Sequence, residues 1–307
     1  MPLIPSTRAA RLITAVAGVA LGAVAARGTY ATLTSAWGPG PDSKTPGPAA
    51  RWNRTNFRGD RVTLLEGPAL AVGVCAGAVL APGLSPRLRT ATVVAGGGAG
   101  AFGAYDDLSG SAGARGFKGH LGALARGEVT TGAVKILGIG ASGLAAALVV
   151  NRNPVDVVVN GALIAGSANL LNLFDLRPGR AAKVGMLAGL PALAHPVAGP
   201  VVAPALGAAA ALLPEDLGER AMLGDAGANA LGAVLGVSAA AGLSRRARLG
   251  LLAGVVGLTA ASEFVSFTKV IASTPPLRHL DELGRRPVQA AAHRPLPADL
   301  LAAPSAE

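Results

Sequence analysis

Long apolar blocks alternate with short polar breaks along most of this chain. Nine blocks are candidate membrane-spanning helices: about 9–27, 62–81, 88–104, 131–150, 155–174, 182–197, 199–213, 224–242 and 249–267. A helix needs roughly 20 mostly apolar residues to cross the hydrocarbon layer, and the blocks approach that length again and again. The sixth and seventh are interrupted by Pro191, Pro196, Pro200 and Pro204 and could instead form one bent hairpin. The pattern predicts an all-α, polytopic membrane helix bundle of about nine transmembrane helices, eight to ten. Small residues recur at four-residue spacing, as in Gly73/Gly77, Gly96/Gly100, Gly232/Gly236 and Gly250/Gly254, and such spacing lets helices approach closely.

The breaks set the organisation. Residues 1–270 read as the transmembrane domain, with cytoplasmic loops 28–61, 105–130, 175–182 and 214–223. Residues 271–307, rich in Arg and Pro, read as a cytoplasmic tail that is partly disordered. With the N-terminus outside, 19 of the 27 Lys and Arg fall on the inner side, as the positive-inside rule expects. Of the 17 Asp and Glu, only Asp156 falls clearly outside. One face therefore holds nearly all candidate chemistry. The expected location is the plasma membrane, multi-pass, with the active face cytoplasmic.

Composition sharpens this picture. Charged residues are 14% of the chain, against about 25% in soluble domains. The net charge of +10 raises nucleic-acid binding, but the basic residues sit in short loops without interleaved aromatics, so no nucleic-acid partner is expected. Cys75 is the only cysteine, which excludes an intrachain disulfide. No His/Cys spacing suits zinc and no phosphate-binding Gly-x-x-x-x-Gly-Lys loop occurs.

Three acidic segments stand at block ends. Asp106 and Asp107 follow the third block. Adjacent carboxylates suit a Mg²⁺ site completed by substrate phosphates, a carboxylate base, or a solvated helix end. Asn169, Asn172 and Asp175 share one face near the inner end of the fifth block, pointing into the bundle or tying helices together. Asp225 opens the eighth block between Gly224 and Gly227, as an N-cap or beside a bound anion. Lys135 lies just inside the fourth block, and Lys44 and Arg58 are among the basic residues of the first loop.

This ordered set resembles the polyprenyl-phosphate N-acetylhexosamine-1-phosphate transferases, the family of phospho-MurNAc-pentapeptide translocase and the undecaprenyl-phosphate GlcNAc-1-phosphate transferases. The family's Asp-Asp pair matches Asp106-Asp107. Its Asn-x-x-Asn-x-x-Asp segment matches Asn169 to Asp175, and its Gly-Asp-x-Gly-Ser segment is similar to Gly224-Asp225-Ala226-Gly227-Ala228. The stretch Asn56 to Arg61 through Gly67-Pro68 also looks like the family's early cytoplasmic segment.

The resemblance implies Mg²⁺-dependent transfer of a phosphosugar from a UDP-sugar to a polyprenyl phosphate, releasing UMP, in cell-envelope glycan synthesis. It implies catalytic roles for Asp106, Asp107 and Asp225, metal ligation by Asp225 and Asp107, and substrate binding by Asn169, Asn172, Asp175, Lys135, Arg58 and Lys44. The implied partners are the polyprenyl phosphate lipid, the UDP-sugar nucleotide and the membrane, with room for a homodimer. A missing tenth span and three residue-level departures mark a divergent member, with altered substrate or as a non-catalytic binder of a lipid-linked precursor or envelope partner. Pro178 stands where a second aspartate is usual, Ala228 replaces the serine, and Ser273 to Asp281 carries a single histidine in place of a His-rich loop. A secondary transporter is a third alternative, but the acids lie at helix ends and no repeat is evident.

Overall fold

The computed structural model describes residues 7–37, 48–109, 122, 126–127 and 130–287. Among them are eleven α-helices and one two-stranded sheet. The helices are α1 (Arg8–Trp37), α2 (Glu66–Leu80), α3 (Pro86–Ser109), α4 (Thr131–Val150), α5 (Pro154–Phe174), α6 (Arg180–Gly189), α7 (Ala198–Leu217), α8 (Gly224–Gly242), α9 (Arg245–Ser262), α10 (Phe267–Ser273) and α11 (Pro275–Glu282). Strands β1 (Asn53–Thr55) and β2 (Arg61–Thr63) pair antiparallel with Arg54 opposite Val62. Lys44, Arg115, Lys118, His120, His293 and the tail beyond 287 lie outside the described residues.

Four helices, α1, α4, α5 and α7, are long and apolar enough to cross a membrane. A fifth crossing is available if α9 and α10, bent by 95° at a short break, count as one. The chain is thus a helical membrane protein, and by this measure the described residues fall short of nine spans. Predicted block 182–197 becomes the ten-residue α6 and a 3₁₀ turn, Leu190–Ala194, because Pro191 and Pro196 break it. The block 62–81 loses its first residues to β2, leaving a 15-residue helix.

Local chemistry explains the boundaries. Thr130 caps α4 by accepting from the Ala133 N–H at 3.1 Å, and Asn153 caps α5, with Pro154 at its first position. Such caps contribute about 1 kcal/mol each. Helix α1 runs ten residues past its predicted end at 27. The Thr32 and Thr34 hydroxyls donate to the carbonyls of Gly28 and Tyr30 four residues back, so these polar side chains are satisfied without leaving the helix.

Helix α8 is the buried axis, packed on α3 and α5, while α1 packs on α7 and α2. Backbones approach closely at the glycines. A methyl at Gly103 of α3 would collide with the Asp225 carbonyl, and one at Gly67 of α2 with the Leu223 carbonyl. Gly232 and Gly236 lie against α5, whereas Gly250 and Gly254 of α9 face open space. Four-residue glycine spacing therefore marks helix contacts in the core and none on the outermost helix.

The β-hairpin covers one end of the bundle, where α2, α4 and α8 begin and α3, α5 and α7 end. Its turn is held by Asn56, whose Oδ1 accepts from the N–H groups of Arg58 and Asp60 at 2.9 Å each. Its second strand bridges to Ala221, with the Met222 N–H donating to the Thr63 carbonyl at 3.0 Å. The segment predicted as loop 28–61 therefore contains the end of α1 and most of this hairpin.

Candidate functional site

At that covered end, side chains from three helices meet at one ammonium group. Lys135, one turn into α4, places Nζ 2.7 Å from Asp106 Oδ2 at the end of α3 and 2.5 Å from Asp225 Oδ2 at the start of α8. All three side chains are less than a quarter exposed. Asn172 of α5 directs its side chain at Asp225, and Thr131 directs its own at Asp106. The separate sequence segments therefore converge. The pairing with Lys135 answers the repulsion that adjacent carboxylates would otherwise suffer.

Asp107 does something different from its neighbour. Its two oxygens accept the backbone N–H groups of Asp225 and Ala226 at 3.0 and 2.9 Å. Leu223 precedes α8 and has no side-chain oxygen with which to cap it. Asp107 therefore caps the helix from across the interface, placing a negative charge on the positive end of the helix dipole. Arg54 of β1 donates to the Asp107 carbonyl and closes the end of α3. The anion position offered by the α8 N-terminus is thus filled by the protein's own carboxylate. Gly224, at φ +59°, lies against that carboxyl, and Gly227 against the backbone of Gly67. Both glycines serve helix packing rather than the close phosphate approach their spacing suggests.

Asp175 ends α5, its N–H bonded to the Asn172 carbonyl at 3.0 Å. Burial, and after it the nearby charges of Asp216, Asp225 and Asp107, push its carboxyl well above the ordinary range. Asn169 is not at the lysine cluster. It lines an apolar cavity of about 380 Å³ with Lys135, Asn229, Val255, Thr259 and Glu263, between α4, α5, α8 and α9. Lys135 thus belongs both to the acidic cluster and to an apolar cavity running from it. Arg58 is elsewhere too. It pairs with Glu219 at 2.9 Å and donates to the carbonyls of Arg286 and Pro287 at 2.8 and 3.2 Å.

Two acids outside the predicted set belong to this end. Glu66, in the first turn of α2, is fully buried with both carboxyl oxygens unpaired. Asp216 is 2% exposed and has its Oδ2 unpaired. The expected loop 214–223 contains Asp216. Instead, α7 continues to Leu217, while Glu215 pairs with Arg27 and Arg220 at 2.7 and 2.6 Å. No feature of spacing distinguishes Glu66 from an ordinary first-turn acid.

The tail also reaches this end. Arg180 of α6 makes a two-pronged contact with Asp281 of α11, at 2.7 and 2.9 Å, and Arg285 joins the same carboxylate at 2.6 Å. Arg285 also donates to the Pro178 carbonyl at 2.8 Å. The first part of the predicted tail is therefore two short docked helices.

The fold and site define a helical membrane protein whose helix ends gather carboxyl groups around one lysine. No family model and no curated protein matches the chain.

Proposed function

We propose that this protein transfers a phosphosugar from a UDP-sugar to a polyprenyl phosphate at the cytoplasmic face of the plasma membrane, releasing UMP. The observation that carries the reading is the meeting of Asp106, Asp225 and Lys135 from α3, α8 and α4, with Asn172 and Asp175 of α5 beside them. Such a reaction joins two anions, one of them a lipid, so it belongs at a membrane boundary where cationic and acidic groups are held together. In this reading all nine passes cross the bilayer, α2 and the α6 pass being short. The basic loops then place the acidic end in the cytoplasm.

The donor set bears on Mg²⁺. Among the described residues no three His, Cys, Asp or Glu are grouped to hold a metal ion, so there is no all-protein cage. Mg²⁺ commonly takes one or two carboxylates, completing its sphere with water and substrate phosphates. Asp225 and Asp106 fit that role, because both already face one cationic position, now filled by the Lys135 ammonium. Asp107 fits it less well, since both its oxygens are engaged by backbone N–H groups. When bound, Mg²⁺ would supply charge neutralisation at the pyrophosphate oxygens.

The chain's own groups divide the remaining work. Lys135, at the mouth of the apolar cavity, draws the lipid phosphate towards the cluster while the isoprenoid chain lies along Val255 and Thr259. Asp106 in this reading holds the Lys135 ammonium towards that phosphate through their 2.7 Å pair. Asn172 orients Asp225, and Asp107 fixes the α8 terminus on which Asp225 stands. The Lys135 ammonium, satisfying both carboxylates within 2.7 Å, also favours a second reading, a non-catalytic binder of lipid phosphate.

One experiment separates the two. Purified protein is given Mg²⁺, undecaprenyl phosphate and a panel of UDP-sugars, and UMP release is measured. Transfer predicts release with at least one donor and its loss in Asp225→Asn. Lipid phosphate binding without release from any donor supports the non-catalytic reading and removes the first.

A further inference from the structure

The end of the bundle opposite the acidic cluster, where α4 and α8 stop and α5 and α9 begin, carries the reverse charge. Arg152 before α5 and Arg245, Arg246 and Arg248 of α9 stand there with a single acid, Asp156. Arg248 donates from Nη1 to Asn160 Oδ1 at 2.7 Å and from Nη2 to Asp156 Oδ1 at 3.2 Å. Arg245 reaches the same Asp156 oxygen at 3.6 Å with its side chain 50% exposed. Arg152 and Arg246 are exposed and form no hydrogen bond or ion pair among the described residues. One carboxylate cannot balance four guanidinium groups. Two donors are also left over: Arg248 Nε and Asn160 Nδ2 are buried without an acceptor, and Asn160 has no exposed surface. Buried polar groups in native structures are nearly always paired, so what this end lacks is acceptors and negative charge.

An apolar cavity of about 420 Å³ begins at the same end, between α5, α6, α8 and α9. Its wall includes Gly242 and Leu243, the last residues before the Ser244 cap of α9. It also includes Leu251 and Val255, about one and two turns along α9 from Arg248. From Gly242 it follows α8 back to Leu235, about 10 Å of helix, and it reaches Phe174 of α5. Two polar side chains on its wall are bonded within the protein. Ser238 donates to the Ala198 carbonyl, and His195 Nδ1 accepts the N–H groups of Val197 and Ala198. An elongated apolar space below a cationic rim suits an amphiphile with an anionic head.

We propose that this end binds one anionic phospholipid of the bilayer, its phosphate among Arg152, Arg245 and Arg248 and an acyl chain in the cavity. Guanidinium groups take phosphate oxygens through paired N–H donors, and basic clusters at the ends of membrane helices attract anionic headgroups. The phosphate supplies the acceptors and the charge that Asp156 and Asn160 do not. Polyprenyl phosphate has similar head chemistry, but in the reading above its phosphate belongs at Lys135, at the other end of the bundle. Val255 lines both cavities and stands between the two chains. The bound phospholipid joins the starts of α5 and α9, a role that does not depend on any transfer reaction.

The test is native mass spectrometry of the full-length protein, released from micelles holding equal amounts of phosphatidylglycerol and phosphatidylcholine with the same acyl chains. Wild type should retain one phosphatidylglycerol with at least tenfold preference, at about fivefold for each arginine engaged. The double variant Arg152→Gln/Arg245→Gln, at two exposed positions, should lower that ratio at least fivefold. Leu251→Trp, which fills the cavity, should reduce retention of both lipids and keep their ratio. Equal retention of the two lipids by wild type overturns the proposal without any variant having to fold. An unchanged ratio in the arginine variant, or unchanged retention in Leu251→Trp, overturns it as well. Undecaprenyl phosphate added to the mixture should bind alongside the phospholipid. If it displaces phosphatidylglycerol one for one, the site belongs to the polyprenyl lipid and the proposal falls.

Discussion

Replacing Lys135 by methionine tests the site at its centre. Methionine keeps most of the stem but removes the ammonium that touches Asp106 and Asp225 at 2.7 and 2.5 Å. Side-chain exposures of 16% for Lys135, 15% for Asp106 and 23% for Asp225 place the triad well inside the regime where ion pairs are desolvated. Removing one partner of a buried pair costs roughly 3–5 kcal/mol, because the other charge is left stranded. Residual solvent access puts this variant at the lower end, about 3 kcal/mol. For a chain of 307 residues, that is a fall in melting temperature of about 5 °C. The assay is thermal unfolding of the purified protein in lipid nanodiscs, followed by intrinsic fluorescence. Adding Asp106→Asn to Lys135→Met removes one stranded charge, so the double variant should recover part of the loss. The coupling should be on the order of 1–3 kcal/mol, as for contacting charges. An unchanged melting temperature in Lys135→Met, or strictly additive effects in the pair, would refute the idea that these groups share one buried position.

Further outcomes follow from other contacts. Gly103→Val should lower both melting temperature and UMP release by pushing α3 off the Asp225 backbone, whereas Gly140→Ala, with open space around it in mid-helix, should lower neither. Burial raises the pKa of Asp281, but the hydrogen bonds and charges of Arg180 and Arg285 outweigh it and hold the carboxyl below its ordinary value. A depressed folded pKa means the docking is present above the unfolded value of about 3.9 and is lost as pH falls through the folded one. Hydrogen-exchange protection of residues 275–282, corrected for the intrinsic exchange rate, should therefore be lost in wild type as pH falls below about 4, and be low already at pH 7 in Asp281→Asn.

Three helices, α4, α5 and α8, stand within a residue of their expected positions, because each is an uninterrupted apolar block with a cap, proline or glycine at its start. Helices that continue through polar residues were harder to read. Past residue 27 the threonines of α1 bond back to its own carbonyls, and at the start of α9, capped by Ser244, Arg245 and Arg248 pair with Asp156 at 3.6 and 3.2 Å. Both compensations involve partners that a hydropathy pattern does not record. The candidate site follows the same logic. Asp106, Asp225 and Lys135 were visible because each interrupts or borders an apolar run. What each one touches was not, because Asp107 and Asp106 are adjacent in sequence yet point to different partners. The cap on α8 in particular comes from a residue 118 positions away. Glu66 and Asp216 leave no mark in the sequence because burial, not spacing, makes them unusual.

The close approach of α3 and α2 to the start of α8 has a consequence for selectivity. Main chain rests on main chain at Gly103 and Gly67, with no rotamer between them to turn aside. The separation of Asp106 from Asp225 is then set as by a machinist's gauge block. Were the proposed transfer to run here, a guest of the wrong girth would meet a frame that does not yield, and discrimination would come from stiffness as much as from charge.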